Sequence, residues 1–142
     1  MARITRLSRS FALLVAAVAC AAATGCGPAK TNISGKVTYN GKPVIWGGVI
    51  IIGADEVPIQ ASLTPEGTYS AVNVPVGPIR VGVSSPDPTP PGRIDKETGK
   101  PLPSPVDRSK WFTIPDKFSD PRSSGLNYTA DPKNPVVDIE LK

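Results

Sequence analysis

After Lys30 the chain is a succession of short segments that alternate apolar and polar residues, each closed by proline, glycine or asparagine. In the first segment Ile33, Val37 and Tyr39 alternate with polar residues, which is the period-2 pattern of a half-buried strand. No stretch after residue 30 shows the periodicity of an amphipathic helix. Short strands separated by turns predict an all-β sandwich.

Turn residues place the strands that follow. Asn40-Gly41 favours positive φ at both positions and predicts a β-hairpin. A second strand is predicted over residues 44–52 and a third over residues 57–63. The third contains Pro58, which cannot donate a ladder hydrogen bond, so this strand is predicted to lie at a sheet edge.

The same alternation continues towards the C-terminus. A fourth strand is predicted over residues 68–72, a corner over residues 73–78 and a fifth strand over residues 79–84. A last strand closes the chain. Apolar positions of the third, fifth and last strands are predicted to face inward: Val57, Ile59, Ala61, Leu63, Ile79, Val81, Val83, Val137, Ile139 and Leu141.

Residues 86–105 interrupt this rhythm with seven of the 17 prolines of the chain, several charges and no aromatic residue. Such a composition buries little surface, which predicts a long proline-rich loop with little regular structure. Loops of this length are either functional or plain solvated connections, and the sequence leaves both open. An apolar cluster is predicted to pin the end of the loop to the sandwich: Trp111, Phe112, Ile114 and Phe118.

The N-terminal segment has the pattern of a secretory signal, a basic leader followed by an apolar stretch and small residues. The basic residues are Arg3, Arg6 and Arg9. The small residues stand directly before Cys26 and resemble the bacterial lipobox, although Ala23 replaces the usual leucine. We predict a lipoprotein signal peptide over residues 1–25 and a lipidated tether over residues 26–30.

Two alternatives to lipidation at Cys26 remain. Cys20 is a rival acceptor, but its use would leave an apolar region too short for a signal. The other is an ordinary secretory signal with an incidental cysteine. Gly27 after Cys26 resembles the sorting pattern for the outer membrane. We therefore expect the protein to be anchored in that membrane and to face the periplasm or the cell surface. Two acyl chains on one cysteine anchor a protein stably.

Processing also changes the charge. Cleavage before Cys26 removes 25 of the 142 residues, leaving 117, which fits one domain over residues 31–142. Removing Arg3, Arg6 and Arg9 from the 16 basic residues leaves 13 against 12 acidic ones. The remainder has no basic patch, so nucleic acid is not an expected partner.

The histidine and cysteine content limits the possible chemistry. The chain has no histidine, and its two cysteines, Cys20 and Cys26, lie in the leader and at the lipid site. Ser-His-Asp and Cys-His catalysis, a disulfide and an ordinary zinc site are therefore excluded from the mature protein. No cofactor is predicted.

The order of these motifs resembles the carboxypeptidase-regulatory-like, transthyretin-like domains. The opening ISGKVTYNGKPV over residues 33–44 carries much of the resemblance. Further matching motifs are TPEGTY at 64–69, VPVGPIRV at 74–81, IPDKF at 114–118, SGL at 124–126 and DIEL at 138–141. The last three are similar to small planctomycete lipoproteins, and the sequence departs from the pattern at residues 46–48.

The resemblance covers nearly all of residues 31–142. It implies an Ig-like or transthyretin-like Greek-key sandwich of about seven strands in the cell envelope. It implies no catalytic residue.

Two tryptophans are the candidate ligand-binding residues. Trp46, beside Gly47 and Gly48, is a candidate stacking platform for a sugar or a partner, or alternatively covers the rim of the core. Trp111, at the end of the loop, is the second candidate. Ser123-Ser124-Gly125 has no base nearby in sequence and is predicted to be a turn.

The carboxylates are weaker candidates. Asp55 and Glu56 lack the ligand spacing of a calcium loop, so a solvated turn is predicted there and no metal site. The others are scattered through the proline-rich region and beyond, and would meet only through tertiary folding: Asp95, Glu97, Asp107 and Asp116.

Three function classes follow from these observations. The first is a non-catalytic, lipid-anchored cell-envelope protein that acts as a structural or protein-interaction module, with an unidentified envelope protein as partner. The second is a small-molecule or glycan-binding module that uses Trp46 or the loop around Trp111. The third is a carboxylate-based enzyme, since glycosidases work with two carboxylates.

Overall fold

The computed structural model describes residues 27–89 and 94–142. Eight strands and one 3-10 helix follow there in chain order: β1 Lys30–Tyr39, β2 Lys42–Pro43, β3 Gly48–Ile52, β4 Pro58–Ser62, β5 Thr68–Pro75, β6 Gly77–Ser84, the 3-10 helix Asp116–Phe118, β7 Leu126–Ala130 and β8 Ile139–Leu141. The strands form two four-stranded sheets, which confirms the predicted all-β sandwich. The predicted signal peptide, with Cys20 and Cys26, lies outside the described residues. In the described ranges no helix has the length and apolarity to cross a membrane.

The first sheet is built around β1, which pairs antiparallel with β2 and β5 and parallel with β8. Asn40 and Gly41 form the two-residue turn to β2, with φ values of 49° and 79°. Both angles are positive, as the tight hairpin turn requires, and the predicted hairpin is confirmed.

The second sheet has the order β4-β3-β6-β7. Its centre is the β-branched run of β3, which pairs with β4 on one side and β6 on the other. The predicted edge position of the strand with Pro58 is confirmed, because β4 is the outermost strand. A proline at an edge protects it, since fewer backbone donors face a passing strand.

The core lies between the sheets and takes alternate residues from each. Most of the positions predicted to face inward are buried: Ala61, Leu63, Ile79, Val81, Val83, Val137, Ile139 and Leu141. Burying each large aliphatic side chain contributes about 1.5–3 kcal/mol relative to leaving it exposed. Ile59 is partly buried, and the prediction for Val57 is wrong: it lies outside β4 and is 54% exposed, and its backbone N–H donates to the carboxylate of Asp55.

The predicted second strand over residues 44–52 is also wrong in part, because the chain changes sheet within it. Val44 N donates to the carbonyl of Val37 in the first sheet, whereas Gly47 accepts a bond from Leu63 N next to the second sheet. Gly47 has a φ of +119°, and a Cβ there would lie 1.9 Å from the carbonyl oxygen of Ser84. Residues 44–47 are therefore a crossing, and regular pairing of β3 begins at Gly48.

The remaining differences concern strand length and number. β5 continues to Pro75, so the predicted corner over residues 73–78 shrinks to Val76 between β5 and β6. β7 was not predicted, because its five residues follow an irregular stretch and become a strand only by pairing with β6. β8 pairs with β1 across about a hundred residues of chain, as Val37 opposite Ile139 shows.

Candidate functional site

Trp111 is held in place by a hydrogen bond at the end of the long loop. Its indole Nε1 donates to Oγ of Ser85 at 3.1 Å, and Ser85 follows directly after β6. Ser85 is the one polar residue buried in the described part of the chain, at 6% exposure. A buried tryptophan N–H usually requires such a partner. The bond therefore orients the ring while leaving it partly exposed.

Arg108 strengthens this arrangement from the other side of the loop. Its guanidinium lies 6.0 Å from the centre of the Trp111 ring, within reach of a cation–π interaction. It also pairs with Asp87 at 3.4 Å and donates to the hydroxyl of Thr89. Asp87 and Thr89 stand near the start of the loop and Arg108 near its end, so these contacts close its base.

Asp107 shapes the turn that leads into Trp111. Its carboxylate accepts the hydroxyl of Ser109 at 2.7 Å and the backbone N–H of the same residue at 2.9 Å. These two bonds hold the pKa of Asp107 below its usual range. The carbonyl of Asp107 accepts the backbone N–H of Trp111 at 3.2 Å. The indole thus stands on a hydrogen-bonded turn.

Trp111 belongs to the lining of two surface depressions. The first, which we name the lysine groove, has a volume of about 420 Å³ and is lined by Lys42, Pro43, Ile45, Pro65, Ser109, Lys110, Trp111 and Phe112. The second, the aspartate pocket, has a volume of about 280 Å³ and includes Ser85, Asp87, Trp111 and Asp116 in its lining. The first volume falls within the range of about 300–1,000 Å³ for small-molecule sites.

Aromatic rings in contact with one another pack behind Phe112, the neighbour of Trp111 in the groove. Phe112 lies 6.1 Å from Tyr39 between ring centres, and Phe118 meets the same ring edge-on at 6.4 Å. Ile114 and Phe118 are buried, which matches the prediction that this cluster pins the end of the loop. The lysine groove is therefore backed by packed side chains.

Trp46 lines neither depression. It is partly buried and precedes Gly47, whose backbone lies against Ser84. Ile45, its neighbour on the other side, does line the lysine groove. The structure does not bring the two tryptophans into one depression, and a ligand role for Trp46 stays a prediction.

The loop itself is more organised at its tip than its composition indicates. Ile94 and Pro101 form an isolated bridge, and Asp95 N donates to the carbonyl of Lys100 at 2.8 Å. The carboxylate of Asp95 accepts the backbone N–H and hydroxyl of Thr98 and the N–H of Glu97, which together hold its pKa below the usual range. Over residues 86–89 and 94–105, the part of the loop that the structure describes, none of the eight strands is found.

The other carboxylates are engaged in separate contacts. Glu56 pairs with Arg80 and, at 3.7 Å, with Arg122. Asp55 accepts the N–H of Val57. Among the described residues no group of three or more His, Cys, Asp or Glu side chains could hold a metal. Asp95 lies in the loop tip and Asp116 in the aspartate pocket, so the structure does not gather the carboxylates into one site.

Ser124 has a structural contact. Its hydroxyl donates to the carbonyl of Val81 in β6 at 2.6 Å, and the backbone N–H of Leu126 points to the same oxygen at 3.2 Å. The serine thus connects the predicted turn to β6 and to the start of β7, and both hydrogen bonds of its hydroxyl are made to the backbone.

The groove contains residues that sequence reasoning did not single out. Lys42 belongs to the first hairpin and Pro65 to a later turn, whereas Ser109 and Lys110 belong to the loop end. No spacing rule relates such distant positions. The only available signal was Trp111 itself, an aromatic residue directly after a polar, proline-rich segment.

Comparison with known proteins gives two solved structures with some similarity. A DUF3823 family protein from Bacteroides ovatus has a TM-score of 0.41 at 19% identity, covering 79% of this chain and 44% of its own. A DUF3823 family protein from Parabacteroides merdae has a TM-score of 0.33 at 22% identity, covering 46% of this chain and 36% of its own. This chain therefore spans less than half the length of either protein.

No protein-family model matches the chain, and no curated protein matches it. The resemblance to carboxypeptidase-regulatory-like domains and to planctomycete lipoproteins therefore stays a prediction. The function is inferred from the residues of this chain.

Proposed function

We propose that this protein is a non-catalytic, lipid-anchored interaction module of the cell envelope. The proposed anchor is a diacylated Cys26, and Gly27 after it, which resembles the sorting pattern for the outer membrane, supports delivery to that membrane. The sandwich over residues 31–142 is then held close to the membrane by a short tether. The resemblance to carboxypeptidase-regulatory-like lipoproteins of planctomycete type supports this proposal.

The observation that carries the proposal is the orientation of Trp111. Its N–H is used by Ser85, and its ring forms one wall of the 420 Å³ lysine groove. A preformed concavity with an oriented aromatic ring and few polar groups is the usual form of a binding site. The envelope component that this chain contacts is therefore proposed to bind there.

The same contacts support a binding role over a catalytic one. A glycosidase needs two carboxylates facing each other across a substrate. Here Asp95 accepts bonds from the loop tip, and Glu56 is shared between two arginines. Asp87 and Asp116 line the same pocket, but Asp87 is paired with Arg108.

Two candidate occupants follow from the sequence, an envelope protein or a small molecule or glycan. The groove favours the second candidate, because its volume is that of a small-molecule site and its lining includes the aromatic residues Trp111 and Phe112. The protein partner remains the first candidate for other surfaces of the sandwich.

The anchor is tested by fractionation of cells that express the full chain. Cys26→Ser is expected to release the protein from membranes or to leave the uncleaved precursor, because no acyl chain can be attached. Cys20→Ser is the matched control and is expected to behave as wild type. Unchanged processing and membrane association of Cys26→Ser would show that Cys26 is not the acceptor.

The binding surface is tested with the full chain carrying Cys26→Ser, incubated with washed envelopes and sedimented. Trp111→Leu is expected to lower the bound fraction. Val136→Ser is the matched control, because Val136 is exposed at another surface, beside Ser34 of β1. Equal retention of the two variants would contradict the assignment of the groove as the interaction surface.

A further inference from the structure

Trp111 lines two depressions whose charged lining residues differ in sign. Lys42 and Lys110 line the lysine groove, and the residues that line it include no aspartate or glutamate. Asp87 and Asp116 line the aspartate pocket, whose lining includes no lysine or arginine. Asp87 is already paired with Arg108 at 3.4 Å, whereas the two lysines leave a net positive charge in the lining of the groove, which attracts an anion.

The two ammonium groups are available to a ligand. Lys42 is exposed, and among the described residues no ion pair includes it. Lys110 pairs with Asp107 at 3.8 Å, and both side chains are more than half exposed. An exposed pair of this kind is weak, and each ammonium has three donors, so Lys110 retains capacity for a second acceptor.

The rest of the groove is apolar and poor in backbone donors. Trp111 and Phe112 supply partly exposed aromatic surface, and Ile45 beside them in the lining is buried. Pro43 and Pro65 have no backbone N–H, so this surface cannot offer the regular main-chain pairing by which an added peptide strand is held. A ring-shaped ligand with apolar C–H faces and an acidic substituent uses such a surface better than a peptide does.

We propose that the lysine groove binds an acidic saccharide, with a sugar ring against Trp111 and its carboxylate near the ammonium groups of Lys42 and Lys110. The proposal rests on the function proposed above and names the class of ligand for its surface. Ser109 also lines the groove, and its hydroxyl, which donates its proton to Asp107, can still accept a hydrogen bond from a sugar hydroxyl group.

The test uses trigalacturonate and a hyaluronate tetrasaccharide as probes. The full chain carries Cys26→Ser for solubility and Trp46→Phe so that Trp111 is the single tryptophan and its fluorescence reports binding. Calorimetric titration of the chain with both tryptophans provides a second measurement that does not depend on Trp46→Phe. We expect saturable binding of at least one acidic probe, weakened by added salt.

Charge and ring are separated by matched variants and probes. Lys42→Gln and Lys110→Gln are each expected to raise Kd about threefold, the effect of one exposed ion pair. Lys133→Gln is the control, because Lys133 is exposed and lines neither depression. Methyl-esterified trigalacturonate keeps the rings without the charge and is expected to bind at least about tenfold more weakly.

Several results would overturn the proposal. Equal binding of the methyl ester, or an unchanged Kd in both lysine variants, would show that the charge of the ligand does not contribute to binding. Equal binding of a triglutamate peptide would assign the groove to acidic peptides. If neither acidic probe binds while Trp111→Leu still loses envelope retention, the ligand class is wrong and the interaction surface stands. If Trp111→Leu also keeps full retention, the proposed function fails with it.

Discussion

The phenol of Tyr69 donates a 2.8 Å hydrogen bond to the carbonyl oxygen of Val137. Tyr69 lies in β5 and Val137 lies two residues before β8, so the bond joins two parts of the chain 68 residues apart. Both residues are buried. The bond therefore pairs the buried hydroxyl of Tyr69 with the buried carbonyl of Val137, which would otherwise both lack a partner.

Tyr69→Phe is expected to destabilise the fold by about 1–3 kcal/mol, because the carbonyl of Val137 loses its partner inside the core. Urea unfolding followed by fluorescence measures the change. Tyr39→Phe is a matched control, since Tyr39 is only partly buried and its ring contacts to Phe112 and Phe118 do not need the hydroxyl. Equal losses in the two variants would contradict this role of Tyr69.

The stability that Tyr69 contributes is expected to depend on pH in the alkaline range. Burial, with smaller effects of Tyr128 and Asp138, raises the pKa of Tyr69. The unfolded value is about 10, so the stability that this group contributes is complete below that pH and is lost as pH rises through the folded value. The difference in unfolding free energy between wild type and Tyr69→Phe is therefore expected to decrease as the pH rises above about 10.

Gly35→Ala is expected to destabilise the first sheet. A Cβ at Gly35 would lie 2.0 Å from the carbonyl oxygen of Val137. Because this oxygen belongs to the backbone, the clash can be relieved only if the chain just before β8 moves. Overpacking of this kind costs about 1–3 kcal/mol or more. Ser34→Ala is the control, because Ser34 is exposed, and a loss of the same size there would contradict the clash.

The two faces of the strands are expected to respond differently to truncation. Leu63→Ala, Val81→Ala and Ile139→Ala remove buried groups and are expected to cost about 1–5 kcal/mol each. Arg80→Ala and Glu140→Ala are expected to cost at most about 1 kcal/mol, because Arg80 has only surface ion pairing and Glu140 is exposed. Thermal unfolding of the five variants distinguishes the sets, and equal losses would contradict the strand registers.

Replacement of residues 86–105 by a short Gly-Ser linker is expected to leave the sandwich folded. The bond between Trp111 and Ser85 lies outside the replaced segment, and closure entropy changes only slowly with loop length. Arg108 loses Asp87 and Thr89, so the tryptophan fluorescence of the variant is expected to shift slightly. Loss of the cooperative unfolding transition would show that the loop is part of the core.

The turn at the loop tip is expected to loosen in acid. Hydrogen bonds from Thr98 and Glu97 hold the pKa of Asp95 below its usual range, so they stabilise the turn above the ordinary aspartate pKa and are lost as pH falls through the folded value. Amide exchange and the chemical shift of Thr98 N–H report this change. In Asp95→Ala the acid dependence is expected to disappear, and its persistence would assign it to another group.

Local patterns in the sequence determined a large part of the fold. The alternation around Val81 and Ile139 predicted their burial, Asn40-Gly41 predicted the first hairpin, and Pro58 predicted an edge strand. These features depend on a residue and its near neighbours, since side-chain direction has a period of two and turn angles are set by one or two residues.

Only the tertiary structure decided which distant segments meet. Leu126 begins a strand because β6 lies beside it, and residues 44–47 leave the predicted strand because the chain changes sheet there. Lys42 and Lys110 share a groove because the loop returns to the hairpin at Trp111. Contacts between such distant residues depend on chain closure and on packing of the whole core, which no local pattern encodes.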